Sequence, residues 1–486
     1  MVVSSLKIRN GFFWLISGAA GQQIINLLIT VILARLILPK DFGVIALVTA
    51  FISVLQLFSE LGTSVAIIQR KEIDDNVIDS AFIMTMVVTF CIVLIIILFA
   101  PFLALFFNNS DLDLLFKIAA FSYLFRGLYS LYNCLLLREI KYSIVSMLMV
   151  VNNVIYGLVA IALAYLGFGA FSVVWGQLSA SALLLILGCL ITGYFPKTLG
   201  TIKQMKNLFS FGFWVSANRL ISVSAGQVDA FIIIKLVDAA SLGFYSLAQK
   251  IIMVFPSMLS STLDKLLLPV YSKSQDNIDR IKSGYWTALI ISSYISLPIV
   301  FLLFLLADPI IPLLAGCKWY NSIILIRIMS IFVFMQCLGG GIFSAVIYAL
   351  GKPKLLFRIS IFRLIMLPLC IIGGSFWGVI GIAWGFSAYA VIGRCYNQII
   401  IDRLLEFPTM LFINHITKPV IINTVSLLIS TLVYLHIPRI DIQGQILNIF
   451  GSISCYILVY TFLIYLIDHK NFVRIFRLLY KRELAT

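Results

Sequence analysis

The sequence predicts an all-α polytopic membrane protein with fourteen transmembrane helices. Three observations carry that expectation. The 486-residue chain is 62% hydrophobic and only 11% charged, whereas soluble domains carry about a quarter charged residues. Its apolar runs reach the roughly 20 residues that a spanning helix needs, without the period-two alternation of barrel strands. A pattern near the N-terminus also restarts 200 positions later, dividing most of the chain into two halves.

In order, spans are expected over about 11–37, 42–68, 79–107, 112–137, 142–166, 168–194, 209–235, 239–270, 284–307, 319–350, 354–376, 377–400, 417–437 and 445–467. The first is too long for a signal-peptide core of about 7–15 residues and is read as retained. Basic residues gather in alternate connections: Lys7 and Arg9, Arg70 and Lys71, Arg138 and Lys141, Lys197 to Lys206, Lys273 to Lys282, Lys352 to Arg358, and Arg403 with Lys418. Such connections face the cytoplasm, which puts both termini inside and requires an even number of spans. The tail with Arg474, Arg477, Lys481 and Arg482 suits the anionic inner leaflet. The net charge of +15 is therefore read as an orientation signal, with no nucleic-acid partner.

No connection is long enough to hold a soluble catalytic domain, and no enzyme is expected. The eight cysteines form no C-x-x-C, and His415, His436 and His469 are far apart, so neither a metal nor a cofactor is expected.

The repeat pairs Phe13-Trp14 with Phe213-Trp214, Arg35-Leu36 with Lys235-Leu236, Gly43 with Gly243 and Leu47 with Leu247. A second match pairs Trp175-Gly176 with Trp384-Gly385. Both halves begin on the same side, as parallel repeats do. The expected organisation is an N-terminal six-helix lobe (1–200), a C-terminal six-helix lobe (201–410), and an extra helix pair with a basic tail (411–486). Two like lobes suggest a central cavity and alternating access.

At 100° per residue, Asn218, Arg219, Ser222, Gly226 and Asp229 share one face of the seventh span. A charge at bilayer depth costs about 2.5–3.5 kcal/mol, so this face should meet protein or water. Gln22 and Asn26 occupy the matching face of the first span. Arg126 shares a stripe with Tyr123, Ser130 and Asn133; Lys250 lies between Ser246 and Ser257; Arg327 precedes Ser330 and the Gly339-Gly340-Gly341 bend. The membrane acids that stand against these cations are read as chiefly Glu60, Asp229 and Asp264. Arg126, Arg219, Lys250 and Arg327 are the candidate cavity cations, suited to phosphate or carboxylate; Gln22, Asn26, Asn218 and Ser222 are candidate polar cavity groups. Asp229 either pairs with Lys250 or serves as a proton or sodium site, and the residues leave both readings open. Arg363, Arg394 and Lys265, near span ends, are read first as capping a helix, snorkelling, or pairing with an acid.

The run Ile32-Leu-Ala-Arg-Leu-Ile-Leu-Pro39-Lys-Asp-Phe-Gly43-Val44, with Glu60-Leu-Gly62 and Ile67-Ile-Gln-Arg70, resembles the polysaccharide transporters of the MOP exporter superfamily, Wzx-type and colanic-acid-exporter-like. Leu137-Arg-Glu-Ile-Lys-Tyr142, Lys235-Leu-Val-Asp-Ala-Ala-Ser-Leu-Gly243-Phe-Tyr245 and Ala349-Leu-Gly-Lys352-Pro353 fit the same family. The resemblance implies a V-shaped, MATE-like pair of six-helix lobes with a cationic cavity. It implies a flippase that moves undecaprenyl-pyrophosphate-linked oligosaccharide across the bacterial inner membrane for O-antigen, capsule or exopolysaccharide assembly, alongside other polysaccharide-assembly membrane proteins. A small-molecule antiporter of the same superfamily is the alternative. A membrane glycan polymerase is third, because it would be expected to show a sizeable outer loop with clustered acids or histidines.

Overall fold

A chain that crosses lipid must satisfy its backbone internally, which long apolar helices do. The computed structural model describes residues 5–60, 67, 74–201, 204–205, 220–221, 223–272, 277–406, 410–436, 442–469, 471 and 473. Among the described residues the ordered elements are helices. They divide into two compact units, Met1–Leu247 and Ala248–Thr486.

The first unit contains α1 (Ser5–Leu36), α2 (Pro39–Glu60), α3 (Asp75–Phe106), α4 (Asp111–Arg138), α5 (Tyr142–Tyr165), α6 (Ala170–Thr192), α7 (Val228–Leu236) and the start of α8 (Ala239–Ser272). Here α1 packs on α5, α3 on α4, α4 on α6, α5 on α6, and α2 on α4 and α7. Small residues let backbones approach where lipid supplies no hydrophobic drive. Gly176 of α6 shows this: a Cβ there would stand 2.9 Å from Ala160 Cβ and 3.0 Å from the Tyr156 carbonyl oxygen.

The second unit continues with α9 (Ile278–Ala315), a 3₁₀ turn (Cys317–Trp319), α10 (Tyr320–Cys337), α11 (Gly340–Ala349), α12 (Pro353–Ser375), α13 (Gly378–Leu405), α14 (Met410–His436) and α15 (Ile442–Ile467). Its core gathers Tyr271, Ile281, Tyr285, Leu289, Leu338, Ile342 and Val346. The last two helices are joined by polar contacts in an apolar setting. Ser430 donates to the Ser452 carbonyl (2.8 Å), Asn448 to the Tyr434 carbonyl (2.8 Å), and Tyr456 to Asn423 (2.5 Å).

Twelve helices among the described residues are long and apolar enough to cross a membrane. They match twelve of the fourteen expected spans. For the first expected span, α1 is formed and its apolar stretch Gly21–Leu36 is described. Residues 209–219 and 222 of the seventh, expected over 209–235, lie outside the described residues, and the described part ends in α7. The ninth is longer than expected. Asn277 caps α9 by accepting from the Arg280 N–H, so the helix takes in charged residues that hydropathy excludes. At 38 residues it is about 57 Å long. The expected glycine bend is present as the break between α10 and α11.

Candidate functional site

Arg126 sits at the middle of α4 and Lys250 in the first half of α8, and both are exposed on the protein. Two other members of the Arg126 stripe bond to backbone. Tyr123 is buried and donates to the Leu55 carbonyl at 3.3 Å; Ser130 donates to the Gly127 carbonyl at 2.6 Å.

Asp229 stands in the first turn of α7 and is 3% exposed. Tyr245 of α8, also buried, donates to its carboxylate at 3.0 Å, and the Ala230 N–H donates at 2.9 Å. Gln22 and Asn26 are half-buried on α1. Asn218, Arg219 and Ser222 lie outside the described residues.

Arg327 is placed differently from a lone cavity cation. Its guanidinium pairs with Asp308 of α9 at 2.5 Å, both partners being partly exposed. The pair borders an almost wholly apolar groove of about 590 Å³, with Phe304, Ile328, Phe334, Trp384 and Val420 on its walls.

Arg394 is fully inside the second unit and heads a buried chain. Its Nη2 donates to Gln398 Oε1 at 2.9 Å, Gln398 donates to Asp402 at 2.7 Å, and Tyr285 donates to Gln398 Oε1 at 3.0 Å. The guanidinium also lies 4.5 Å from the Phe412 ring centre. Gly339 leaves it room, because a Cβ there would stand 2.9 Å from Arg394 Nη1. The acids named from sequence thus omitted Asp308 and Asp402. The i, i+4, i+8 spacing of Arg394, Gln398 and Asp402 carried a signal for the second, since such residues stack on one helix face.

A third omitted acid, Asp79, is buried at the start of α3. It accepts from the Tyr194 hydroxyl, from the Thr198 hydroxyl (2.8 Å) and from the Thr198 N–H (2.9 Å). Ser80 accepts from the Thr201 N–H at 3.0 Å. The segment that leaves α6 is thereby strapped across α3. Burial, and then the bonded Asp79 carboxylate, push the Tyr194 phenol above its ordinary value. At the end of α15, burial works against ionisation of Asp468, yet hydrogen bonds from Asn471 and Tyr294 hold its carboxyl below the usual range.

Among the described residues no group of three or more His, Cys, Asp or Glu could hold a metal ion.

Residues 32–324, more than half of the chain, match the family described as "Polysaccharide biosynthesis protein". The lipopolysaccharide biosynthesis protein WzxC of Escherichia coli (strain K12) is 22% identical over 81% of this chain and 84% of its own length. Two solved structures share the fold at 16% identity. One is the lipid II flippase MurJ in an inward closed conformation, with a TM-score of 0.74 over 92% of this chain and 98% of that one. The other is a multidrug resistance MATE family transporter of the MOP superfamily, in an inward-facing conformation, with a TM-score of 0.62 over 79% of this chain and 96% of that one.

Proposed function

Since the chain belongs to the polysaccharide biosynthesis protein family, we propose that it is a flippase that carries undecaprenyl-pyrophosphate-linked oligosaccharide repeat units across the bacterial inner membrane. The observation that carries this reading is the exposure of Arg126 on α4 and, separately, of Lys250 on α8, each within a stretch apolar enough to cross a membrane. A pyrophosphate is doubly anionic and offers several acceptors, which guanidinium and ammonium groups bind well when partly dehydrated.

In this reading Arg126, Arg219 and Lys250 take the pyrophosphate. Gln22, Asn26, Asn218 and Ser222 serve the sugar hydroxyls, and Asp229 is the ion-coupling group. Arg327, already offset by Asp308, contributes to the electrostatic background and does not grip substrate. Transport proceeds by alternating access between two six-helix lobes, with both termini in the cytoplasm.

Deletion of the gene tests the reading. The expected result is loss of surface polysaccharide with lipid-linked repeat units accumulating inside. Normal surface glycan with no trapped intermediate, together with new sensitivity to cationic drugs, would instead favour the antiporter.

A further inference from the structure

The repeat makes a contact with itself. Gly43 of α2 and Gly243 of α8 are equivalent positions, as are Pro39 and Ala239, each pair separated by 200 residues. A Cβ added at Gly43 would fall on the Ala239 carbonyl oxygen, and a Cβ at Gly243 would fall on the Pro39 carbonyl oxygen. The same Cβ positions would stand 2.9 Å from the Gly243 nitrogen and 3.2 Å from the Gly43 nitrogen. The two helix starts therefore cross backbone to backbone through a local two-fold relation, and each glycine is required by its partner's carbonyl.

Two neighbouring contacts close the same end. Lys235, in the last turn of α7, donates to the Phe106 carbonyl at 2.7 Å and lies 3.9 Å from the centre of that ring. It thereby puts a cation on the C-terminus of α3, where the helix dipole favours it. Phe231 of α7 meets Phe51 of α2 edge to face, with ring centres 6.3 Å apart. At the crossing itself the two backbones approach directly, as small residues allow between membrane helices.

The geometry points to the Gly43–Gly243 crossing as an outer gate: the place where the first turn of α2 and the first turn of α8 meet when the exit is shut, and separate when it opens. This rests on the alternating-access reading and on the orientation proposed above. Gly43 and Gly243 are positioning residues and touch no substrate.

Labelling uses the full chain in cells, with its eight cysteines replaced and one reporter, Asn26→Cys, on α1; export is scored in the same glycine variants with Asn26 and the native cysteines in place. A membrane-impermeant maleimide is applied from outside. With both glycines present, labelling should be slow. Gly43→Leu and Gly243→Leu should each prevent closure, raise labelling several-fold and abolish export at unchanged membrane abundance. Gly43→Ser and Gly243→Ser, less demanding on the fold, should give intermediate labelling and partial export. Labelling and export unchanged in the Ser variants would overturn the gate, even if the Leu variants fail to accumulate. Labelling needs no substrate, so a substrate reading that fails by gene deletion leaves this result standing or falling by itself.

Discussion

Tyr245 and Asp229 form a buried phenol–carboxylate pair, 3.0 Å apart, between two helices of the first unit. The carboxylate proposed to couple ions is thus held by a neutral donor. Asp229→Asn should keep the fold and lose ion-dependent export in membrane vesicles. Tyr245→Phe should leave the carboxylate short of a donor and destabilise the protein by about 1–3 kcal/mol. Ion-dependent export at the wild-type rate in Asp229→Asn would remove the residue from the coupling role.

The Arg327–Asp308 pair should behave as a unit. Breaking it from one side strands a charge beside apolar walls, whereas removing both does not. Asp308→Asn should lower the melting temperature in detergent more than Arg327→Met combined with Asp308→Leu. A double-mutant cycle should return a coupling of about 0.5–3 kcal/mol. Additive effects would mean the contact contributes nothing.

Gln398 bridges Arg394 and Asp402 in the core of the second unit. Gln398→Leu removes the acceptor for one charge and the donor for the other. The expected cost is about 3 kcal/mol, seen as early thermal unfolding, with Gln398→Glu milder at low pH, where the protonated acid still accepts from Arg394 and donates to Asp402.

Asp79 should be the main fastener of the strap that follows α6. Asp79→Ala should expose residues 194–201 to limited proteolysis, and Asp79→Asn should do so less. Equal resistance in wild type and Asp79→Ala would show that the Ser80 bond to Thr201 suffices.

Asp468 gives a pH dependence with a definite sign. Its carboxyl is held below the ordinary value in the folded protein. Its contribution to stability is therefore complete above the unfolded value, about 3.9, and is lost as pH falls through the lower folded value. Asp468→Asn should flatten the melting temperature between pH 5 and pH 3, and a wild-type profile already flat there would contradict the assignment.

Most helices were legible because lipid imposes a simple rule on composition. The span expected over about 142–166 is α5 at Tyr142–Tyr165. The failures have physical causes. Hydropathy ended the ninth span at its charged turn, where a cap continues the helix. Asp308 was overlooked because its partner is 19 residues away on another helix, a contact that no helical periodicity displays. Asp79 was overlooked because its donors come from a loop more than 110 positions later. Repeat-related glycines were legible as a pattern, but the carbonyls that make them necessary were not.

The self-neutralised pairs alter the count of charge available to a passing substrate. Arg327 is matched by Asp308, and the Arg394 chain ends on Asp402. The proposed grip is then reduced to Arg126, Lys250 and Arg219. A diphosphate linked at both ends carries about two negative charges at neutral pH, and a sugar-linked monophosphate, a diester without the second ionisation, about one. On the proposed reading, the chain should retain a lipid diphosphate and release the sugar-linked monophosphate, whatever sugars are attached.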